Sequence, residues 1–305
     1  MSTTTNPTDV ASHERREFIR ATSAKSYTRR AWTSRLYLGA LSVALLIAFV
    51  PLASILQNVV GHGIHYITWH YLTTPQQYPS ITNPDNVGGI GNALAGTAVV
   101  DLGAVLISIP VALLLAMAMF EFTHRWVSAV RNAMETFIGL PSIVFGVFTY
   151  VSLVQTTHQF HAYFGSLALC FIMIPVMTIN ALAALRSVPD TLVEAGLSLG
   201  SRPSRVMLHV VIPAAKSRIF TGIFLAFSRA VGETAPILFV VGASDLVRFN
   251  PNAQATTLPS LMWNYLIGSY PSERASCWGI ALVLMAVVLF FNVLSRVFIA
   301  FSNKS

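Results

Sequence analysis

The chain has 305 residues, of which 54% are apolar and 10% charged, and its mean hydropathy is +0.63. That balance excludes an ordinary soluble domain. The formal charge of +7 is gathered into short segments between long apolar runs, which argues against a nucleic-acid-binding surface and for a chain that crosses a lipid bilayer several times.

In chain order, apolar runs lie near residues 36–60, 89–119, 132–155, 165–185, 217–243 and 276–300. Each is long enough to span hydrocarbon, and none shows the two-residue alternation of a membrane barrel. Backbone groups in lipid must be satisfied within the segment, so the expectation is an all-α polytopic membrane protein with six transmembrane helices. Residues 1–34 form a basic N-terminal segment ahead of a transmembrane domain over 35–305. The opening stretch Met1 to Asp9, rich in Ser, Thr, Asn and Pro, is expected to be disordered. The basic leader and first apolar run are too long for a cleaved signal, so the first span stays as an anchor. Pro110, Pro141, Pro175 and Pro236 fall inside runs and predict bent helices.

Lys and Arg set the orientation. Arg15, Arg16, Arg20, Lys25, Arg29, Arg30 and Arg35 precede the first span, and Arg125 and Arg131 lie between the second and third. Arg186, Arg202, Arg205, Lys216 and Arg218 lie between the fourth and fifth, and Arg296 and Lys304 at the far end. The alternate loops hold only Arg248 and Arg274. The positive-inside rule therefore places both termini in the cytoplasm of a multi-pass plasma-membrane protein. Cys170 and Cys277 read as packed, reduced thiols. His62, His65 and His70 cluster without a carboxylate or cysteine at ligand spacing, so no metal site is expected.

The segment Ser187 to Lys216 predicts a cytoplasmic helical hairpin. Pro189 and Asp190 suit a first helical turn, Leu192, Val193, Gly196, Leu197 and Leu199 recur at helical spacing, and Gly200 supplies a stop. A second helix is expected from about Pro203 until Pro213 ends it. Farther on, Leu258 to Leu266 predicts a short amphipathic helix at the outer surface.

The string Glu194-Ala195-Gly196, then Gly200, then Val210, Ile212 and Pro213 resembles the EAA loop of ABC-importer permeases: Glu-Ala-Ala, three residues, Gly, nine residues, Ile, any residue, Leu-Pro. Gly196, Val210 and Ile212 replace the usual Ala, Ile and Leu. Gly88-Gly89-Ile90 with Gly96-Thr97, Gly139-Leu140-Pro141-Ser142-Ile143-Val144-Phe145-Gly146, Ser187-Val188-Pro189 and Arg229-Ala230-Val231-Gly232-Glu233-Thr234-Ala235-Pro236 extend the likeness. Over roughly residues 88 to 265 the chain resembles PstA-type phosphate permeases.

The resemblance implies the type I ABC importer permease fold, with cytoplasmic coupling helices. It implies transport of inorganic phosphate, with Glu194, Ala195, Gly196, Gly200 and Pro213 coupling to the ATPase. The implied partners are a PstC-type second permease, a PstB-type ATPase dimer and a PstS-type phosphate-binding protein, received by segments 61–87 and 244–275. No Gly-x-x-x-x-Gly-Lys-Ser/Thr loop occurs, so ATP and Mg are expected on the partner ATPase and no cofactor on this chain.

Independently of the resemblance, Arg229, Gly232, Glu233 and Pro236 follow a spacing that would put them on one helical face. A charge in mid-span costs about 2.5–3.5 kcal/mol, so this face should meet protein or a water-filled path. Arg229 is the apt group for an oxyanion, and Glu233 can neutralise it when none is bound. A structural ion pair is the competing reading. Ser142 and Thr234 are candidate hydroxyl donors to the anion, or backbone caps. Asp101 and Glu135 are not expected to bind substrate. Alternative functions are an ABC importer for another oxyanion or small solute, and a secondary anion carrier; the carrier would show internal repeats around broken helices, which the sequence lacks.

Overall fold

The computed structural model describes residues 7–122 and 125–302, with side chains for 32–122, 126–294, 296 and 297. Met1 to Asn6 and Lys304 lie outside these residues, as do the side chains of Arg15, Arg16, Arg20, Lys25, Arg29, Arg30 and Arg125. Among the described residues there is no strand, only isolated bridges pairing Gln76 with Gly88 and Ser80 with Asn83.

The helices are α1 (Pro7–Gly63), α2 (Trp69–Thr73), α3 (Gly91–Glu121), α4 (Arg125–Gly139), α5 (Ser142–Thr149), α6 (Gln155–Thr157) and α7 (Ala162–Arg186). They continue as α8 (Asp190–Ser198), α9 (Pro203–Val206), α10 (Ile212–Ala230), α11 (Ala235–Leu238), α12 (Leu258–Leu266) and α13 (Pro271–Ser302). Helix already covers Pro7 to Asp9, correcting the expectation of disorder there. No glycine or proline interrupts residues 8–38, so helix runs unbroken toward the first span.

Among the described residues, five helical stretches are long and apolar enough to cross a membrane: Trp32–Tyr66, Gly91–Glu121, Ala162–Arg186, Pro203–Ala230 and Pro271–Leu294. Trp126–Gly139 and Ser142–Thr157 make a sixth when taken as one span, bent by 99°. The bend falls at Leu140 and Pro141, where proline has no N–H and holds the preceding residue out of the helical region. Pro110 and Pro175 lie within continuous α3 and α7.

The chain divides into two compact units, Met1–Asn58 and Val59–Ser305. The described residues of the first, from Pro7 onward, are helix, with exposed apolar side chains from Leu36 to Leu56. The second is built around α7, buried along most of its length and packed chiefly on α3 and α10. Small residues permit the close α3–α7 approach, with Val100, Ala104 and Ala112 of α3 sharing a core with Ala168 and Leu169 of α7. Ser166 Oγ donates to Val100 O at 2.8 Å across the same seam. Cys170 and Cys277 are buried and unpaired. At one end, Thr257 caps α12 reciprocally with Ser260, and Leu258, Leu261 and Tyr265 bury against Tyr71, Ile90 and Ile280.

Candidate functional site

Two candidate regions sit at different levels of the second unit. The first is the segment after α7. Pro189 precedes α8 and Asp190 opens it, where a carboxylate favours the positive end of the helix dipole. Gly200 closes α8 with φ +74°, a left-handed conformation suited to glycine, and its N–H donates to Leu197 O at 2.9 Å. Glu194 and Ala195 are exposed, as are the flanking Leu192, Leu197 and Leu199. Gly196 faces the other way: a β-carbon there would lie 3.1 Å from both methyls of Val206. Beneath, Val188, Val206, Met207 and Val211 join Ala116, Ala181, Leu182 and Leu185 in a buried cluster, which seats the hairpin on α3 and α7.

Pro213 does not end the second helix of this hairpin. From Pro203 the chain is helical without interruption to Ala230, passing through a π-helical turn at Met207–Val211 before α10. Ile212 N–H donates to Met207 O across that turn. The wider turn accommodates a proline lacking its N–H, and Pro213 takes the first turn of α10, where that loss is harmless. The helix that carries the fifth apolar run accordingly begins at Pro203.

The same helix stops inside the fifth apolar run. α10 stops at Ala230, Val231 to Thr234 are non-helical, and Pro236 lies in the first turn of the short α11. This corrects the expectation of one helical face carrying Arg229, Gly232, Glu233 and Pro236. A helix through 236 would leave Gly232 O without its donor and drive the proline ring against that carbonyl, while glycine weakens the same turn.

The break nevertheless keeps the charges together. Arg229 Nε lies 3.8 Å from Glu233 Oε1, with side-chain exposures of 51% and 20%. Arg229 and Ser142 line one narrow cleft with Phe137, Leu140, Phe145 and Ile172. Ser142 is therefore brought to the arginine across the bend between α4 and α5. Thr234 is half-buried in the unwound segment and outside that lining, and its carbonyl accepts from the N–H groups of Ile237 and Leu238. Ser228 Oγ, beside Arg229 in sequence, is buried without a hydrogen-bond partner among the described residues.

Sequence reasoning missed the unwound segment and its contact with α5. A β-carbon on Gly146 would stand 2.7 Å from Pro236 Cα, so α5 and α11 touch backbone to backbone. A glycine in the turn before a proline was the available signal at both breaks. Glu135 pairs with Arg131 on exposed α4 at 2.8 Å, away from the cleft, and Asp101 is buried within α3.

Residues 108–305 match the family described as the binding-protein-dependent transport system inner membrane component. The probable phosphate transport system permease protein PstA of Methanocaldococcus jannaschii is 30% identical over 267 residues, covering 87% of this chain and 93% of its own. PstA of Xylella fastidiosa is 34% identical over 216 residues, covering 70% and 75%. The chain is a PstA-type member of this permease family. Among solved structures, a bacterial ABC transporter involved in import of the acidic polysaccharide alginate aligns with TM-score 0.58 at 14% identity, over 88% of this permease and 98% of that chain. The inward-facing MetNI methionine ABC transporter aligns with TM-score 0.53 at 19% identity, over 70% and 93%. At such identities the likeness is one of fold. The permease is thus a multi-pass inner-membrane transport subunit with the ABC importer permease fold.

Proposed function

We propose that this permease moves inorganic phosphate across the cytoplasmic membrane in an ATP-driven importer. The phosphate named for its PstA relatives supports the cargo. The observation carrying the reading is Arg229 at a helix break, half-exposed, lining one narrow cleft with Ser142 and balanced by Glu233. Non-helical backbone at membrane depth is tolerated where it is buried in protein or lines a path. An arginine there gives a dianion or monoanion a fixed charge with forked donors, Ser142 adds a hydroxyl from the same cleft, and Thr234 offers another from the unwound segment outside it. Glu233 keeps the empty path near neutral.

In this reading Glu194, Ala195, Gly196 and Gly200 present α8 to a separate ATPase dimer, which holds ATP and Mg, while Pro213 lets the following helix continue into the membrane. The N-terminus and the α8 loop face the cytoplasm, a PstC-type permease completes the path, and a PstS-type binding protein docks on the opposite side.

The test is radiolabelled phosphate uptake into proteoliposomes holding the complete complex, with ATPase activity measured in parallel. Uptake should require ATP and the binding protein. Losing one charge-assisted contact of about 1.5–3 kcal/mol predicts that Arg229→Gln lowers uptake about 10- to 150-fold with assembly intact. Arg229→Lys should recover only part, because a point charge lacks the fork. Uptake driven by an ion gradient without the ATPase would overturn the importer reading, and full transport by Arg229→Gln would make the arginine structural.

A further inference from the structure

At the end of the second unit away from α8, a polar cleft of about 390 Å³ lies between the α6–α7 turn and the segment following α11. His158, His161 and Arg248 bring basic character to it, Gln159 and Gln254 bring amides, and Phe160 supplies an apolar wall. The cleft is preformed: Ala162 N–H donates to Ala253 O at 2.9 Å, Tyr163 N–H to Pro251 O at 3.0 Å and Ala255 N–H to Val241 O at 3.1 Å.

Its basic groups are held ready rather than spent. His161 Nδ1 lies 2.6 Å from Asn252 O; a carbonyl only accepts, so that nitrogen carries the proton and the other ring nitrogen remains for a partner. His158 adopts φ 55°, a left-handed conformation a β-carbon disfavours, which fixes it at the mouth of the turn. Arg248 is exposed and, among the described residues, has no carboxylate within ion-pair distance. Asp245, three residues earlier, is engaged instead by Gln76 Nε2 at 2.6 Å and Tyr78 Oη at 2.9 Å.

A bare tetrahedral anion would leave most of this volume unfilled. An acidic side chain with its neighbouring peptide fits the same chemistry, its carboxylate meeting the guanidinium while the glutamine amides meet backbone groups. We propose that this cleft receives an acidic side chain, and the peptide around it, from the binding protein on which transport by this family depends. The proposal rests on the importer reading above.

The experiment measures binding of the purified, phosphate-loaded binding protein to the complete transporter in nanodiscs at low and high salt, for wild type, Arg248→Glu, Arg248→Gln and His158→Gln. Arg248→Glu should weaken affinity at least about tenfold at low salt, mostly through slower association, and flatten the salt dependence. Arg248→Gln and His158→Gln should lie between it and wild type. ATPase activity without the binding protein should be unchanged, and an Asp/Glu→Arg change on the binding protein's docking face should restore Arg248→Glu. Unchanged affinity and salt dependence in Arg248→Glu would overturn the proposal. So would unchanged affinity with lost uptake, which would make the cleft a site for the free anion. A wild-type complex that transports without engaging any binding protein would overturn the importer reading and this docking surface with it, a result visible before any variant is made.

Discussion

Gly139 and Gly146 flank Pro141 in one short run, yet the structure predicts opposite responses to the same substitution. A β-carbon at 146 would sit 2.7 Å from Pro236 Cα, 2.9 Å from Pro236 O and 3.1 Å from Ala235 O. Non-bonded carbons rest at about 3.5–4.0 Å, so α5 and α11 would have to part by about 1 Å. The obstructing atoms are backbone, beside a rigid ring, and no rotamer change relieves them. Overpacking of this kind costs about 1–3 kcal/mol. The displacement also reaches the cleft, because Ser142 is one turn from Gly146 on α5 and Glu233 precedes α11. At Gly139 a β-carbon would meet nothing within 4 Å. Gly146→Ala should therefore lower the stability of the purified complex by about 1–3 kcal/mol and reduce phosphate uptake, with Gly146→Val worse, while Gly139→Ala leaves both near wild type. Thermal unfolding of the solubilised complex and uptake in proteoliposomes measure the two effects. Equal behaviour of Gly146→Ala and Gly139→Ala would refute the reasoning.

Two further perturbations test other parts of the molecule. Tyr71 Oη lies 2.9 Å from Ser276 Oγ, and burial pushes its pKa from 10.0 up to about 12. The folded state then keeps the phenol proton where the unfolded state releases it, so this contribution is complete below pH 10 and is lost as pH rises from about 10 to about 12, by about 2–3 kcal/mol. Alkaline unfolding followed by tryptophan fluorescence should show that decline, and Tyr71→Phe should flatten it. Gly200 has open space around a φ of +74°, so Gly200→Ala costs only backbone strain, about 1 kcal/mol, and Gly200→Asn less. Transport-linked ATP hydrolysis should fall in the order glycine, asparagine, alanine, with subunit composition unchanged on size exclusion.

The spans were legible because hydrocarbon imposes length and apolarity on any helix that crosses it. Their interruptions were harder to read for the same reason: membrane helices tolerate proline, and Pro110 and Pro175 do lie in continuous helix. Pro141 and Pro236 break theirs, and each has a glycine within the preceding turn, Gly139 and Gly232. The helical-face argument for Arg229 and Glu233 used the wrong local geometry, although the break still leaves the two side chains 3.8 Å apart. The α8 turn was readable to the residue because Pro189, Asp190 and Gly200 are local signals with local causes. The cleft of His158, His161 and Arg248 joins positions about 90 residues apart in sequence, and no periodicity or motif links them.

The continuity of α9 with α10 changes how the two candidate regions relate. Pro203 to Ala230 is one helical stretch, 28 residues long, or about 40 Å at 1.5 Å per residue. Its beginning is in contact with α8 through Val206 and Gly196, and its end carries Arg229. The π-helical turn is an irregular point along it, and Met207 and Val211 of that turn are buried against the ends of α3 and α7. A movement imposed at α8 should therefore be delivered at Ala230, where the helix ends. Glu233 lies just beyond that end, so the Arg229–Glu233 pair straddles the joint, one charge on the long helix and the other on the segment leading into α11. In the proposed importer, separation of this pair would free the guanidinium for the anion as ATPase closure is transmitted along the helix.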